Sequence, residues 1–139
     1  GEEGPAEYIH GALDILDADR IDHGNQSVND EELIKKLLKD NTPLTMCPLS
    51  NLKLKVIDDL RNHPLKKLMA HGIAVTVNSD DPAYFGGYIN DNYIAIAEAL
   101  DLNRDDIIRL AKNSFNASFL KSDEKELFIK KIDEYSAGF

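Results

Sequence analysis

Two adjacent carboxylates, Asp80 and Asp81, close the apolar run "IAVTVNSDD", and Pro82 follows at once. Neighbouring anions repel unless they are solvated or a cation lies between or beside them. Capping of a turn accounts comfortably for one aspartate here and poorly for two. The residue before a proline is pushed to extended geometry, which predicts strand-like alternation with Asp80 and Asp81 facing different directions. Other short apolar runs also end in polar residues: "RI" in Asp22-His23-Gly24, and "PLTMCPL" in Ser50-Asn51. Glu2 and Glu3 stand in the opening "GEEGP", just ahead of a helical pattern. Acids, an imidazole and carboxylates brought to one place would form a metal or acid–base site. Each residue has a plainer reading as well. A single histidine near a strand end is ordinarily a structural, hydrogen-bonded residue or is exposed. Glu2 and Glu3 suit the first turn of a helix, where the dipole favours acids. His10, His63 and His71 lie in or beside helical stretches and read as surface or structural residues. Cys47, within an apolar run, reads as a small core residue rather than a nucleophile.

The elements that must position these residues follow from periodicity. Pro5 to about Leu16 reads as a helix with Ile9, Leu13 and Leu16 on one face. "RIDHG" reads as a short strand, and Asn29 or Asp30 as the cap of a helix whose stripe is Leu33, Ile34, Leu37 and Leu38. "PLTMCPLSN" is a second strand, "HPLKKLMAHG" a helix stopped by Gly72, and "IAVTVNSDD" a third strand rich in β-branched residues. Helices follow: one with Tyr93, Ile94, Ile96, Ala97 and Leu100 as its stripe, one opening on Asp105 and Asp106, and a last one with Ser122 as N-cap. Lys125 stands where a capping box would need Glu or Gln, so no full box is expected on Ser122. Strands alternating with helices predict an α/β fold with a parallel sheet and outer helices. Three strands are too few to close a barrel, and the length suits half of a (β/α)₈ barrel, which takes roughly 250 residues. In such folds function collects at the carboxyl ends of the strands, where the polar residues above lie.

Composition narrows the function classes. Acids outnumber bases 25 to 16, a formal charge of −9, and such a surface repels phosphate backbones, which argues against nucleic acid as a partner. No apolar run is long enough to span a membrane. The single cysteine rules out an internal disulfide and fits a reducing, cytoplasmic setting. No initiator Met or leader pattern opens the chain, an indication that residue 1 is not the natural start.

"GEEGP", "RIDHG", "LTMCPLSNLKLKV" and "HPLKKLMAHGIAVTVNSDDPAYFGGY" together resemble the zinc-dependent adenosine and adenine deaminase family, from Gly1 to at least Leu120. "CPLSN", "SDDPAYFGGY" and "RIDHG" bring it nearest the adenine deaminase branch. The resemblance implies that residues 1–139 are the C-terminal half of a (β/α)₈ TIM barrel. It implies hydrolytic deamination of adenine to hypoxanthine and ammonia by a zinc-activated water, in purine salvage. Adenosine or a modified purine is the alternative substrate. Gly1-Glu2 match the end of the family's His-Ala-Gly-Glu motif, so Glu2 is implied as the general acid protonating purine N1. His23 is implied to orient the attacking water, Asp80 to ligate zinc and Asp81 to bind the purine at N7. The remaining zinc ligands of the family pattern are absent from these residues, which implies an isolated half-barrel without turnover. Its open sheet edges and apolar face would favour self-association.

Overall fold

In a computed structural model, which describes residues 1–138, three short parallel strands form one sheet in the order β1 (Ile21–Asp22), β2 (Leu44–Met46), β3 (Val75–Val77). Ile21 pairs with Leu44, and Leu44 in turn with Val75, so equivalent positions line up across the sheet. The helix α1 (Ala6–Asp14) precedes β1, α2 (Glu31–Asp40) lies between β1 and β2, and α3 (Pro48–Lys53) and α4 (Leu65–Ala70) lie between β2 and β3. The chain then runs through α5 (Pro82–Phe85), α6 (Ile89–Leu100), α7 (Arg104–Asn116) and α8 (Ser122–Ala137). This is the α/β fold expected, a portion of a (β/α)₈ barrel with the helices outside the strands.

Most of the apolar stripes meet as their spacing requires, but α1 ends at Asp14 and leaves Leu16 outside the helix and exposed, and Leu38 and Ile94, read into the stripes of their helices, also face solvent. Ile9 and Leu13 of α1, Leu33, Ile34 and Leu37 of α2, and Leu65, Leu68 and Met69 of α4 are buried with Leu44, Met46, Val75 and Val77 of the sheet. α7 lies against β3 and seals it with Leu110 and with Asn113, whose Nδ2 donates to the Val75 carbonyl at 2.9 Å. α8 covers α7 through stacked rings of Phe115 and Phe128, 4.6 Å apart, and contributes no fully buried residue. Among the described residues no helix is long and apolar enough to cross a membrane.

Three further local details differ from expectation. The second strand ends at Met46, because Pro48 occupies the first turn of α3, so Ser50 and Asn51 are helical rather than strand-terminal. α8 is capped by Lys121, not Ser122. The register slips back by one residue because Glu124 Oε2 then accepts the Lys121 backbone N–H at 3.3 Å. Asp80 takes φ 57, a left-handed conformation, where extended geometry was expected; only Asp81, at φ −99 and ψ 92, is extended.

Asp30 is the cap of α2: its Oδ1 accepts the Leu33 N–H at 2.9 Å, and its Oδ2 meets His10 Nε2 at 3.0 Å. The Leu33 amide above all, and then His10, hold this carboxyl below its ordinary 3.8. A carboxyl lowered on folding stabilises above its unfolded pKa and loses that contribution as pH falls through the folded value. Asp30→Ala is therefore expected to lower Tm by several degrees near neutral pH, and by less below about pH 4. Thermal melts of both proteins across pH check this.

Candidate active site

The carboxyl ends of β1 and β3, the start of α3 and the opening loop come together at one end of the sheet. His23 follows β1, and its backbone N–H still donates to Thr45 O at 2.9 Å, extending the ladder by one residue. It then turns out of the sheet at φ 62. Asn78 does the same after β3, donating its backbone N–H to Met46 O at 2.9 Å, before Asp80 bends at φ 57. Left-handed backbone is sparsely populated by non-glycine residues. Both residues adopt it where their side chains enter the site.

The opening loop is fastened to the β1 end by Gly24 N–H, which donates to Gly1 O at 3.0 Å. Only glycine allows that approach, since a Cβ at position 1 would lie 2.2 Å from the Asp22 carbonyl oxygen. Glu2 is thereby brought over α3. Its Oε1 accepts from Asn51 Nδ2 at 2.8 Å and lies 3.2 Å from Ser50 Oγ and 3.4 Å from His23 Nδ1. Ser50 Oγ donates to Asp80 Oδ2 at 2.7 Å, a shorter contact than the one to Glu2. A hydroxyl has one proton to give, and the Asp80 bond takes it. His23 Nε2 lies 3.8 Å from Asp80 Oδ2, beyond a direct hydrogen bond and at a distance that a third atom bridges.

Glu2, His23 and Asp80, three of the four residues singled out from sequence, are thus joined in one network. Asp81, the fourth, is outside it. Its Oδ1 caps α5, accepting from the Ala83 and Tyr84 N–H groups, each at 3.1 Å, which is the plainer role weighed for one of the two aspartates. Its second oxygen makes neither of these bonds.

Two residues missed as site members complete the arrangement. Ser50 and Asn51, fully buried at the start of α3, tether both carboxylates. The signal available was a pair of small polar residues directly after a buried apolar run. Cys47 is buried as expected, yet its Sγ lies within 4.8 Å of His23 and Asp80 ligand atoms. Burial above all, and then the charges of Asp80, Glu2 and Asp22, push its thiol up to about 12. A thiol at that value is protonated at neutral pH and is no nucleophile; it donates to Thr45 O at 3.6 Å. Arg20, Asp22, His23, Thr45, Cys47, Asn78 and Asp80 are among the residues that line an open pocket of about 560 Å³. A larger groove, about 680 Å³, lies between α7 and α8, but no carboxylate, imidazole or thiol lines it.

The chemistry of the cluster is acid–base, with a carboxylate and an imidazole placed to share a cation or a water. A parallel α/β frame carries that cluster at its strand ends, and the sequence model of adenosine deaminase matches residues 1–135: the chain belongs to the adenosine deaminase family. Among its relatives is an adenine deaminase of Sphingopyxis alaskensis, 56% identical over 136 residues, 98% of this chain and 40% of that protein. The crystal structure of adenine deaminase from Arthrobacter aurescens superposes with a TM-score of 0.95 at 43% identity, over 99% of this chain and 42% of that one. An amidohydrolase from Burkholderia ambifaria with bound zinc shares the fold alone, with a TM-score of 0.84 at 20% identity over 96% of this chain and 39% of that one. This chain spans about 40% of the length of the curated relatives it matches.

Proposed function

We propose that this chain supplies the proton-donor and strand-end part of the active site of an adenine deaminase, which converts adenine and water to hypoxanthine and ammonia in cytoplasmic purine salvage. The observation that carries the reading is the network joining Glu2, His23 and Asp80 through Ser50 and Asn51 at the carboxyl ends of the strands. The two relatives named adenine deaminase, 56% and 43% identical over nearly all of this chain, support it.

The donor set fits a zinc ion as part of a shell. A carboxylate oxygen of Asp80, a nitrogen of His23 and the Cys47 sulfur lie within 4.8 Å of one another, and these are ligand types that zinc accepts. Asp80 would hold the ion, with the His23 ring and the Cys47 sulfur beside it. One carboxylate does not retain zinc, so further ligands are proposed to come from the part of the relatives' length that this chain does not span. A bound zinc ion would lower the pKa of a coordinated water toward about 7.

Every other role falls to the protein's own groups. His23, with Nε2 turned to the Asp80 side, orients the water that adds to purine C6. Glu2 Oε1 is committed to Asn51, so Oε2 is the oxygen that carries the proton to purine N1. Proton delivery from Glu2 to N1 lets the ring accept the water oxygen at C6; of the water's two protons one returns to Glu2 and the other goes to the amino group, whose C6–N bond breaks to release ammonia and leave a C6 carbonyl. Asp81 binds the purine through the oxygen that does not cap α5. Because Ser also caps helices, Asp81→Ser keeps α5 while shortening the side chain. The full-length variant is expected to retain its metal and to raise KM for adenine about tenfold or more, the scale of one charge-assisted hydrogen bond. Unchanged KM and kcat would remove Asp81 from recognition.

Adenosine is the competing substrate. The experiment is the comparison of kcat/KM for adenine and adenosine with the full-length protein. A large preference for adenine is expected, and a preference for adenosine overturns the assignment.

A further inference from the structure

His63 is nearly solvent-free, 2% exposed, between a 3₁₀ turn over Leu60–Asn62 and the start of α4. Its hydrogen bonds go to Asn51 and Leu65, not to the catalytic candidates Glu2 and His23. Its two ring nitrogens have unlike partners. The Leu65 backbone N–H, which can only donate, reaches Nδ1 at 3.2 Å. Nδ1 therefore presents its lone pair, and the proton of the neutral ring is on Nε2. Nε2–H then donates to Asn51 Oδ1 at 3.2 Å. With its oxygen held there, the Asn51 carboxamide has one orientation left: its NH₂ faces the site, donating to Glu2 Oε1 at 2.8 Å and meeting His23 Nδ1 at 3.2 Å. Asn51 Nδ2, at 3.2 Å, is nearer His23 Nδ1 than Glu2 Oε1 is at 3.4 Å, so the amide N–H takes the Nδ1 lone pair and the neutral ring's proton is on Nε2, on the side of Asp80.

We propose that His63 is a positioning residue: the first peptide N–H of α4 fixes the His63 tautomer, His63 fixes the Asn51 carboxamide, and Asn51 fixes both the Glu2 oxygen left free for proton transfer and the tautomer of His23. The chain of donors runs in one direction from a backbone group that cannot reverse. A reversed Asn51 would set its oxygen against Glu2 Oε1 and its NH₂ against His63 Nε2–H, two repulsive contacts in a buried place. Burial also lowers the His63 pKa to about 4, so the ring stays neutral, and its direction stays set, throughout the physiological range. The inference rests on the deaminase reading above and adds a residue to it that touches no reacting atom.

The test uses the full-length protein with adenine and two substitutions that separate the ring nitrogens. An Asn side chain reproduces the Nδ1 acceptor for Leu65 N–H but does not reach Asn51; a Gln amide reproduces the Nε2–H donor. H63N is expected to keep its zinc and its KM and to lose about tenfold or more in kcat, the scale seen for outer partners of active-site groups. H63Q is expected to recover most of that loss. An H63N enzyme with wild-type kcat, or H63N and H63Q losing kcat equally, overturns the proposal. Independently of how any variant folds, ¹⁵N shifts of the wild-type His63 ring must show the neutral Nε2–H form between about pH 5 and 8. An Nδ1–H form, or protonation in that range, also overturns it. Glu2→Gln in the same assay separates the two levels. If the parent protein releases ammonia from adenine and Glu2→Gln is inactive while H63N is unaffected, only the positioning role fails; if the parent protein itself releases no ammonia from adenine, the deaminase reading fails.

Discussion

Glu2→Gln in the full-length protein is expected to lower kcat for adenine by at least about 10²-fold while KM stays near its starting value. The amide retains the shape of the side chain and an oxygen to accept the Asn51 N–H that holds Oε1 in place at 2.8 Å. What it lacks is a transferable proton on the other arm. Loss confined to kcat is the signature of an interaction made only in the transition state, and proton delivery to a ring nitrogen is of that kind. Steady-state kinetics on adenine checks it; a rate within about twofold of the parent removes Glu2 from the mechanism. The same split separates this role from the one assigned to Asp81, whose replacement acts on KM.

Asp80→Asn is expected to have the other large effect. Asn tolerates the left-handed conformation that Asp80 adopts at φ 57, and its carboxamide still accepts the Ser50 hydroxyl proton now given at 2.7 Å. Backbone and tether are therefore kept while the negative charge is lost. Replacing a partner that merely supports a ligand costs about 10–100-fold in metal affinity, so removing a charged ligand should cost at least the upper figure, and turnover falls with it. Metal analysis of the purified variant beside its deamination rate measures both. Zinc at full occupancy in Asp80→Asn would show that the ion is held elsewhere.

Sequence periodicity was sufficient for the order of helices and strands because most stripe residues are regular: Leu33, Ile34 and Leu37 are spaced for one helical face and are buried, whereas Leu38 of the same stripe, and Leu16 and Ile94 elsewhere, are exposed. It placed His23 and Asp80 near strand ends, which a parallel α/β chain gathers at one edge; the choice of Glu2, His23 and Asp80 as partners rested on the resemblance to the deaminase family, since each residue type alone has a plainer structural reading. It failed where tertiary contacts overrode local preference. The Pro rule for Asp81 held, but nothing local announces that Asp80 bends to φ 57 one residue earlier; the Ser50 bond supplies the reason. Ser50 and Asn51 read as turn residues closing a strand, and Pro48 at the helix start was the overlooked sign. His63 was legible only as structural, since its partner Asn51 lies twelve positions earlier and the link depends on which ring nitrogen faces the start of α4.

The most direct test of the central claim, that this cluster serves a metal-assisted deamination of a free purine, is ammonia release from adenine by the full-length protein before and after dialysis against a strong chelator. The account predicts that the stripped protein, still folded, releases almost no ammonia and that added zinc restores the rate. Undiminished release from the stripped protein would contradict it.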